Sequence, residues 1–278
     1  MIDPRSDSAL RVATMNIFGR QGNWDDRRRV LVSGFHALRP DIVAFQEAIV
    51  FDGYDQVRDV LGDEYHVFHQ AGRAPDGSGA SIASIWPIAS VDEHPLHVSD
   101  RLNPEHGWIG SVAIASIACP PAWGRLAFVQ FKPSWQLGYE RERELQAVAA
   151  GRLIESEVAP KATHVVMAGD FDATPHAASV RFWSGRQSLD DTSVSWRDAW
   201  DDQHPDESGE TFTNANPLVA NGDMPLDRGR RIDYIFLRCH DHGPTLKIER
   251  CERLFDQPVE GVWASDHYGL VADFVLPG

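Results

Sequence analysis

The chain has 278 residues, 42% hydrophobic and 24% charged, with a formal net charge of −15. That length buries a sizeable core, and the ordinary globular composition excludes a disordered or fibrous chain. The acidic balance argues against a protein that coats nucleic acid, where Lys and Arg neutralise phosphates. It does not exclude a nuclease whose carboxylates recruit a metal.

The opening MIDPRSDSAL is a polar tail over residues 1–9, without the apolar centre of a signal peptide, and residues 10–278 are expected to form one domain. Residues 10–17 (LRVATMNI) read as a strand, and 25–38 as a helix with Val30, Leu31, Phe35 and Leu38 at helical spacing, closed by Pro40. A short strand over 41–46 (DIVAFQ) and a short helix over 54–61 follow, then the glycine-rich AGRAPDGSGA of 71–80, read as a mobile hairpin or rim loop because its glycines lack phosphate-binding spacing. Strands are expected over 81–86, 90–97, 108–116 and 125–131. The clearest helix spans 139–158, with Leu145, Val148, Ala149 and Leu153 as its apolar stripe and ERERE on its solvated face. A strand then runs into Asp170, followed by a helix over 177–184, a Trp-rich loop over 195–200, and strands over 231–237, 247–255 and 268–276. Strands separated by helices suit sheets covered by helices. No stretch approaches a membrane span, and three cysteines without a CxxC pair suit reduced thiols; a cytoplasmic monomer without membrane contact is expected.

Acidic motifs recur at or near strand ends, where side chains can converge on one rim. They are Asn16 in MNI, Glu47 in FQE, Asp170 and Asp172 in GDFD, Asp233 in RIDYIF, and Asp266 with His267 in SDHYG. Hard oxygen ligands suit Mg²⁺, and a His with an Asp partner suits a general base. In GDFD, residues two apart on a strand face the same way, so two anions would stand side by side and need a cation or a proton between them. A turn in which each Asp bonds backbone N–H groups explains the same letters, and the stretch alone leaves both open. Taken singly, Asn16 reads as a strand-end cap, Glu47 as a surface acid and His267 as a satisfied buried histidine.

Together and in this order, with RPDIVAFQE and SIWPI in support, these pieces resemble the endonuclease/exonuclease/phosphatase superfamily, from about Leu10 to the last strand. The resemblance implies an α/β (α+β) fold, a four-layer αββα sandwich of two mixed β-sheets packed face to face with helices outside. It implies divalent-metal-dependent hydrolysis of phosphoester bonds, with Mg²⁺ or Mn²⁺ held by Glu47 with help from Asn16 and Asp266. His267 would activate water or contact phosphate, Asp233 would hold its imidazole, and Asp170 would position the water or touch metal.

Two departures stand out. The family usually has Asn at the position of Asp172, where it donates to a phosphoryl oxygen; a carboxylate there must be protonated, neutralised by metal or part of altered chemistry, and a second cation shared with Asp170 is the expectation. After the strand LAFVQF the family commonly has a histidine, whereas this chain has Lys132, read either as a source of positive charge for phosphate or as a surface lysine beside a proline turn. Arg230 and Arg231 of DRGRR are candidate phosphate contacts, and Arg228 pairs more naturally with a nearby Asp. Trp108, Trp135, Trp183 and Trp263 are candidates for a pocket wall, though any one Trp more often packs in a core. His240 and His242 of HDH read as surface histidines. A small phosphorylated substrate is favoured by charge, with nucleic acid as the runner-up; a binding protein that lost catalysis, or a hydrolase of non-phosphate substrates, are the alternatives.

Overall fold

The computed structural model describes residues 9–102 and 109–277. Among the described residues are fourteen strands and six short or medium α-helices. The strands are β1 (Leu10–Asn16), β2 (Ile42–Phe51), β3 (Tyr54–Asp55), β4 (His66–His69), β5 (Ser78–Ser84), β6 (Ile88–Pro95), β7 (Ser111–Ile117), β8 (Leu126–Lys132), β9 (His164–Asp170), β10 (Trp196–Asp198), β11 (Asp233–His240), β12 (Gly243–Pro244), β13 (Lys247–Leu254) and β14 (Gly269–Val275). The helices are α1 (Trp24–Leu38), α2 (Gln56–Leu61), α3 (Glu140–Leu153), α4 (Ala178–Trp183), α5 (Ala199–Gln203) and α6 (Pro217–Ala220).

The strands form two seven-stranded sheets, in the orders β13-β14-β1-β2-β5-β4 and β10-β11-β9-β8-β7-β6, with β3 on β2 and β12 on β11. Both sheets are mixed, because β1–β2 and β8–β9 run parallel among antiparallel neighbours. The inner faces pack together through Leu10, Val12, Ile42, Phe128, Val166, Ile235 and Phe274. Helices α1 and α2 cover the first sheet over Met15, Phe35 and Phe45, and α3 and α4 cover the second over Phe131, Ala147 and Phe182. This is the expected four-layer sandwich.

Period-two alternation also places the site. On the inner face β1 reads Leu10, Val12, Thr14, Asn16; β2 reads Ile42, Ala44, Gln46; β8 reads Leu126, Phe128, Gln130, Lys132; and β9 reads Val166, Ala168, Asp170. Each stripe is apolar where the sheets pack and polar at one shared end. Gly169 lets β9 reach that end beside β8: a Cβ there would stand 2.0 Å from the Phe131 carbonyl oxygen.

Several elements differ from the sequence expectation. Strand β2 continues through Glu47 to Phe51, the long helix ends as α3 at Leu153 and passes into a π-turn over Ile154–Val158, and the Trp-rich segment forms β10 and α5. AGRAPDGSGA is a closed rim hairpin: Arg73 donates to the carbonyls of Gly77 and Ala80, and also to that of Ala48, while Asp76 accepts from Ser78. Trp108 and the tail before Ala9 lie outside the described residues. No helix among the described residues is long and apolar enough to cross a membrane.

Candidate active site

Asn16, the last residue of β1, is fully buried at the centre of the polar end. Its side-chain amide donates to Glu47 Oε1 at 2.9 Å and Asp170 Oδ2 at 3.1 Å, and lies 3.4 Å from His267 Nε2. Its oxygen accepts from the Phe18 N–H at 3.0 Å. One amide thus links both sheets and the loop before β14.

Glu47 reaches this point through an irregularity. The β2–β5 register shifts between Phe45 and Ala48, and Glu47 has φ +58°, so successive residues Gln46 and Glu47 both serve the site. A left-handed Glu is strained and is held by the paired strand on either side. Asp266 lies nearby with its carboxylate accepting from Ser265 Oγ at 3.2 Å; burial, reinforced by the charge of Glu47, pushes it up to about 6.

Asp233 and Asp170 face each other across the antiparallel β9–β11 pair. Like charges in that register oppose each other, and His267 lies against both. His267 Nδ1 is 2.9 Å from Asp233 Oδ2, and its ring packs on Phe212 with centroids 5.0 Å apart. Burial disfavours the imidazolium, but Asp233 and Asp170 outweigh it and raise its proton affinity well above the ordinary value. Burial raises Asp233.

The answer to the paired acids of GDFD lies in β8. Lys132 is only 6% exposed, so it is not a surface lysine. Its ammonium donates to Asp170 Oδ2 at 2.8 Å and also to Asp172 Oδ2. In the structure both carboxylates meet the Lys132 ammonium, a side-chain cation where a second metal ion was the expectation. Burial would lower the Lys132 pKa, but Asp170, Asp172 and Glu47 more than offset it and hold the ammonium charged. Burial alone would raise Asp170, yet Lys132, His267 and the Asn16 amide bring it down to about 2. Asp172, at a left-handed φ of +50°, is pushed up to about 6 by burial and then by Asp170.

The arginines behave differently from expectation. Arg231 is 3% exposed and its guanidinium lies 2.6 Å from Asp198 Oδ2, so it ties β10 to the segment before β11 and leaves no charge for a substrate. Arg230 pairs with Asp227 at 2.6 Å and lies over the Phe212 ring, supporting His267 from behind. Trp183 is core, edge-on to Phe131 and Trp196, and Trp263 stacks on Tyr268. The HDH residues are exposed at the β11–β12 turn.

Arg27 was not anticipated. It lies on the buried face of α1 beside Asp266 and Glu47 and donates to the carbonyls of Ala264, Gln21 and Ile17; burial lowers its pKa to about 10. Its spacing of three from Trp24 and Val30, on the apolar stripe, was the available signal.

Among the described residues the tightest set of metal-type ligand atoms is Asp170, Asp233 and His267, all within 4.8 Å of one another. Asp233 and His267 already bond each other, and Asp170 Oδ2 accepts from Lys132 and Asn16. Glu47 and Asp266 are two further carboxylates: Glu47 is exposed and accepts from the Asn16 amide, Asp266 is half-buried and accepts from Ser265 Oγ, and Arg27 lies near both. This excess of hard, acceptor-only oxygens fits a divalent cation.

The sequence profile of the Endonuclease/Exonuclease/phosphatase family matches residues 13–267, and the chain belongs to that family. No curated relative matches it significantly. Solved structures share the fold. A zebrafish (D. rerio) TDP2 complexed with single strand DNA product is 22% identical with a TM-score of 0.75, covering 96% of this chain and 99% of that one. The human Nocturnin catalytic domain with bound sulfate is 18% identical with a TM-score of 0.71, covering 99% and 97%. An endonuclease/exonuclease/phosphatase from Bacteroides vulgatus is 19% identical with a TM-score of 0.67, covering 98% and 100%.

Proposed function

We propose that this chain is a divalent-metal-dependent phosphoester hydrolase. The observation that carries the reading is the convergence of Asn16, Glu47, Asp170, Asp266 and the Asp233–His267 pair on one polar end of the sandwich. Glu47 and Asp266 would hold Mg²⁺ or Mn²⁺, with the Asn16 amide fixing the Glu47 carboxylate. Such an ion supplies positive charge to phosphoryl oxygens as negative charge develops on them.

The chain's own residues do the rest. Asp233 binds Nδ1 and aims Nε2 of His267 at the substrate: the imidazolium that Asp233 and Asp170 favour contacts a phosphoryl oxygen, and the neutral ring takes the proton of the attacking water. Asp170, ionised, orients that water. Lys132 presents a permanent ammonium where the family commonly has histidine, and Asp172 fixes it in place. Lys132 therefore acts by charge and not as the acid for the leaving group.

Net charge alone favours a compact substrate, but the relatives give that preference no support. A second reading, hydrolysis of nucleic-acid phosphodiesters, is favoured by the TDP2 structure with its single strand DNA product. Arg230 and Arg231, both paired to aspartates, do not supply the basic face that reading would use. The test is product release from phosphomonoesters, phosphodiesters and single-stranded DNA or RNA, with Mg²⁺, Mn²⁺ or chelator, using H267N as control. Metal-dependent release lost in H267N supports a phosphoesterase, and the substrate that turns over decides between the readings. No release from any of them would leave a binding protein.

A further inference from the structure

Beside Glu47 and Lys132 a cavity of about 240 Å³ opens, walled by the rim hairpin at Ala74 and Ser78 and by Gln46 and Trp135. Trp135 is 44% exposed, whereas Trp183, Trp196 and Trp200 are buried. The backbone carrying it is fixed from beneath. The buried guanidinium of Arg143 donates to the carbonyls of Ser134 at 3.0 Å and Gln136 at 2.8 Å, on either side of Trp135. Gln146, fully buried, accepts from the Ser134 N–H at 2.9 Å and donates to Ser134 Oγ at 3.0 Å.

Two buried polar side chains of α3 thus hold a segment whose large aromatic ring stays in solvent. Packing does not account for that arrangement, because the ring gives up the burial that makes Trp stabilising. Gln46 adds a second sign. Its Oε1 accepts from Thr14 Oγ1 at 3.3 Å, while its Nε2 is buried without a hydrogen-bond partner among the described residues. A buried donor left open beside a cavity suits an acceptor brought by a ligand.

We infer that Trp135 is a preorganised stacking platform that selects phosphoesters bearing a planar ring, with Gln46 as a donor to an acceptor on the same ligand. This rests on the phosphoesterase reading and names the substrate feature it selects: a ring within reach of the phosphoester, from a nucleobase or a simple aryl group. Aromatic side chains accept any π-face, so stacking supplies affinity without reading base identity.

Calorimetric titration in Mg²⁺ tests this on the full chain. The probes are adenosine 5′-monophosphate against ribose 5-phosphate, benzyl phosphate against ethyl phosphate, and unphosphorylated adenosine and benzyl alcohol. Wild type should bind at least one ring-bearing phosphate about tenfold more tightly than its ringless counterpart, the low end of ring stacking. W135A should erase that difference, leave the ringless affinities and the melting temperature unchanged, and W135F should restore part of it. Preference for adenosine 5′-monophosphate alone identifies a nucleobase, and for benzyl phosphate alone an aryl group. Equal affinity with and without the ring, or a preference surviving in W135A, overturns the inference. Ring preference without any gain from the phosphate group would instead sink the phosphoesterase reading and leave the stacking platform standing.

Discussion

The ammonium of Lys132 lies 2.8 Å from Asp170 Oδ2, with both side chains almost wholly withdrawn from water. Asp172 completes the cluster from the other side. Two departures from the family pattern, a lysine for histidine and an aspartate for asparagine, are thereby in direct contact and behave as one exchange. Removing only Lys132 strands two buried carboxylates.

K132M should therefore lose about 3–5 kcal/mol of stability, the cost of breaking a buried pair from one side. D172N should lose much less. The double variant K132H/D172N, which writes the family's usual pair into this chain, should retain more activity than either K132H or D172N. Urea unfolding and turnover of wild type, K132H, D172N and the double variant give the coupling, and strictly additive effects would show that the two positions are independent.

Stability against pH isolates Asp172. Its folded pKa of about 6 lies above the ordinary 3.8, so the native state binds this proton more tightly than the unfolded chain does. That advantage is complete below about 4 and is lost as pH rises through about 6. Asp170 works in the opposite sense: with a folded pKa of about 2, it stabilises above the ordinary carboxyl range and loses this as pH falls toward 2. D172N removes only the first effect. Its unfolding free energy relative to wild type should rise between pH 4 and pH 7 by on the order of 2 kcal/mol, at about 1.4 kcal/mol per pKa unit. A pH-independent difference would mean that Asp172 does not titrate there.

E47A should weaken Mg²⁺ or Mn²⁺ binding at least about tenfold, a change of about 1.4 kcal/mol. Because Glu47 is exposed at the cavity, and Ala carries the same left-handed backbone cost, the melting temperature without metal should hold near wild type. Calorimetric titration with unchanged affinity would move the ion elsewhere.

D233N should lower kcat by about 10²–10⁴, the usual scale for losing positioned acid–base catalysis, with little change in KM. The ring orientation is set by the Nδ1 contact, so an amide in place of the carboxylate disturbs the tautomer. Steady-state kinetics with H267N and H267N/D233N should show no further loss in the double variant, since the two residues act as a unit.

R231M separates a structural arginine from a substrate contact. It leaves Asp198 buried without its partner, so stability should fall while kcat/KM per folded molecule stays near wild type. A large selective rise in KM would return Arg231 to the substrate.

Alternating apolar residues made the long strands legible, and with them the shared polar end carrying Asn16, Asp170 and Asp233. The two-residue strands β3 and β12 and the three-residue β10 are too short for a period to declare itself. Glu47 was legible as an acid after a strand, but its bulge was not, because a register shift depends on the partner strand β5. Lys132 and Arg231 show the harder limit. Both are cations near acidic motifs, and only tertiary packing reveals that one is held by site carboxylates and the other by the remote Asp198.

Strand β1 pairs directly with β14, and Ser265 Oγ donates to the Asn16 carbonyl at 2.8 Å just ahead of His267. The amide at the centre of the site leaves a ribosome 251 residues ahead of the imidazole it meets. While β14 is still to be made, β1 has only β2 beside it and one open edge. A nascent chain that stops short of His267 cannot hold the assembled site, so any catalytic power waits for the pairing of β1 with β14.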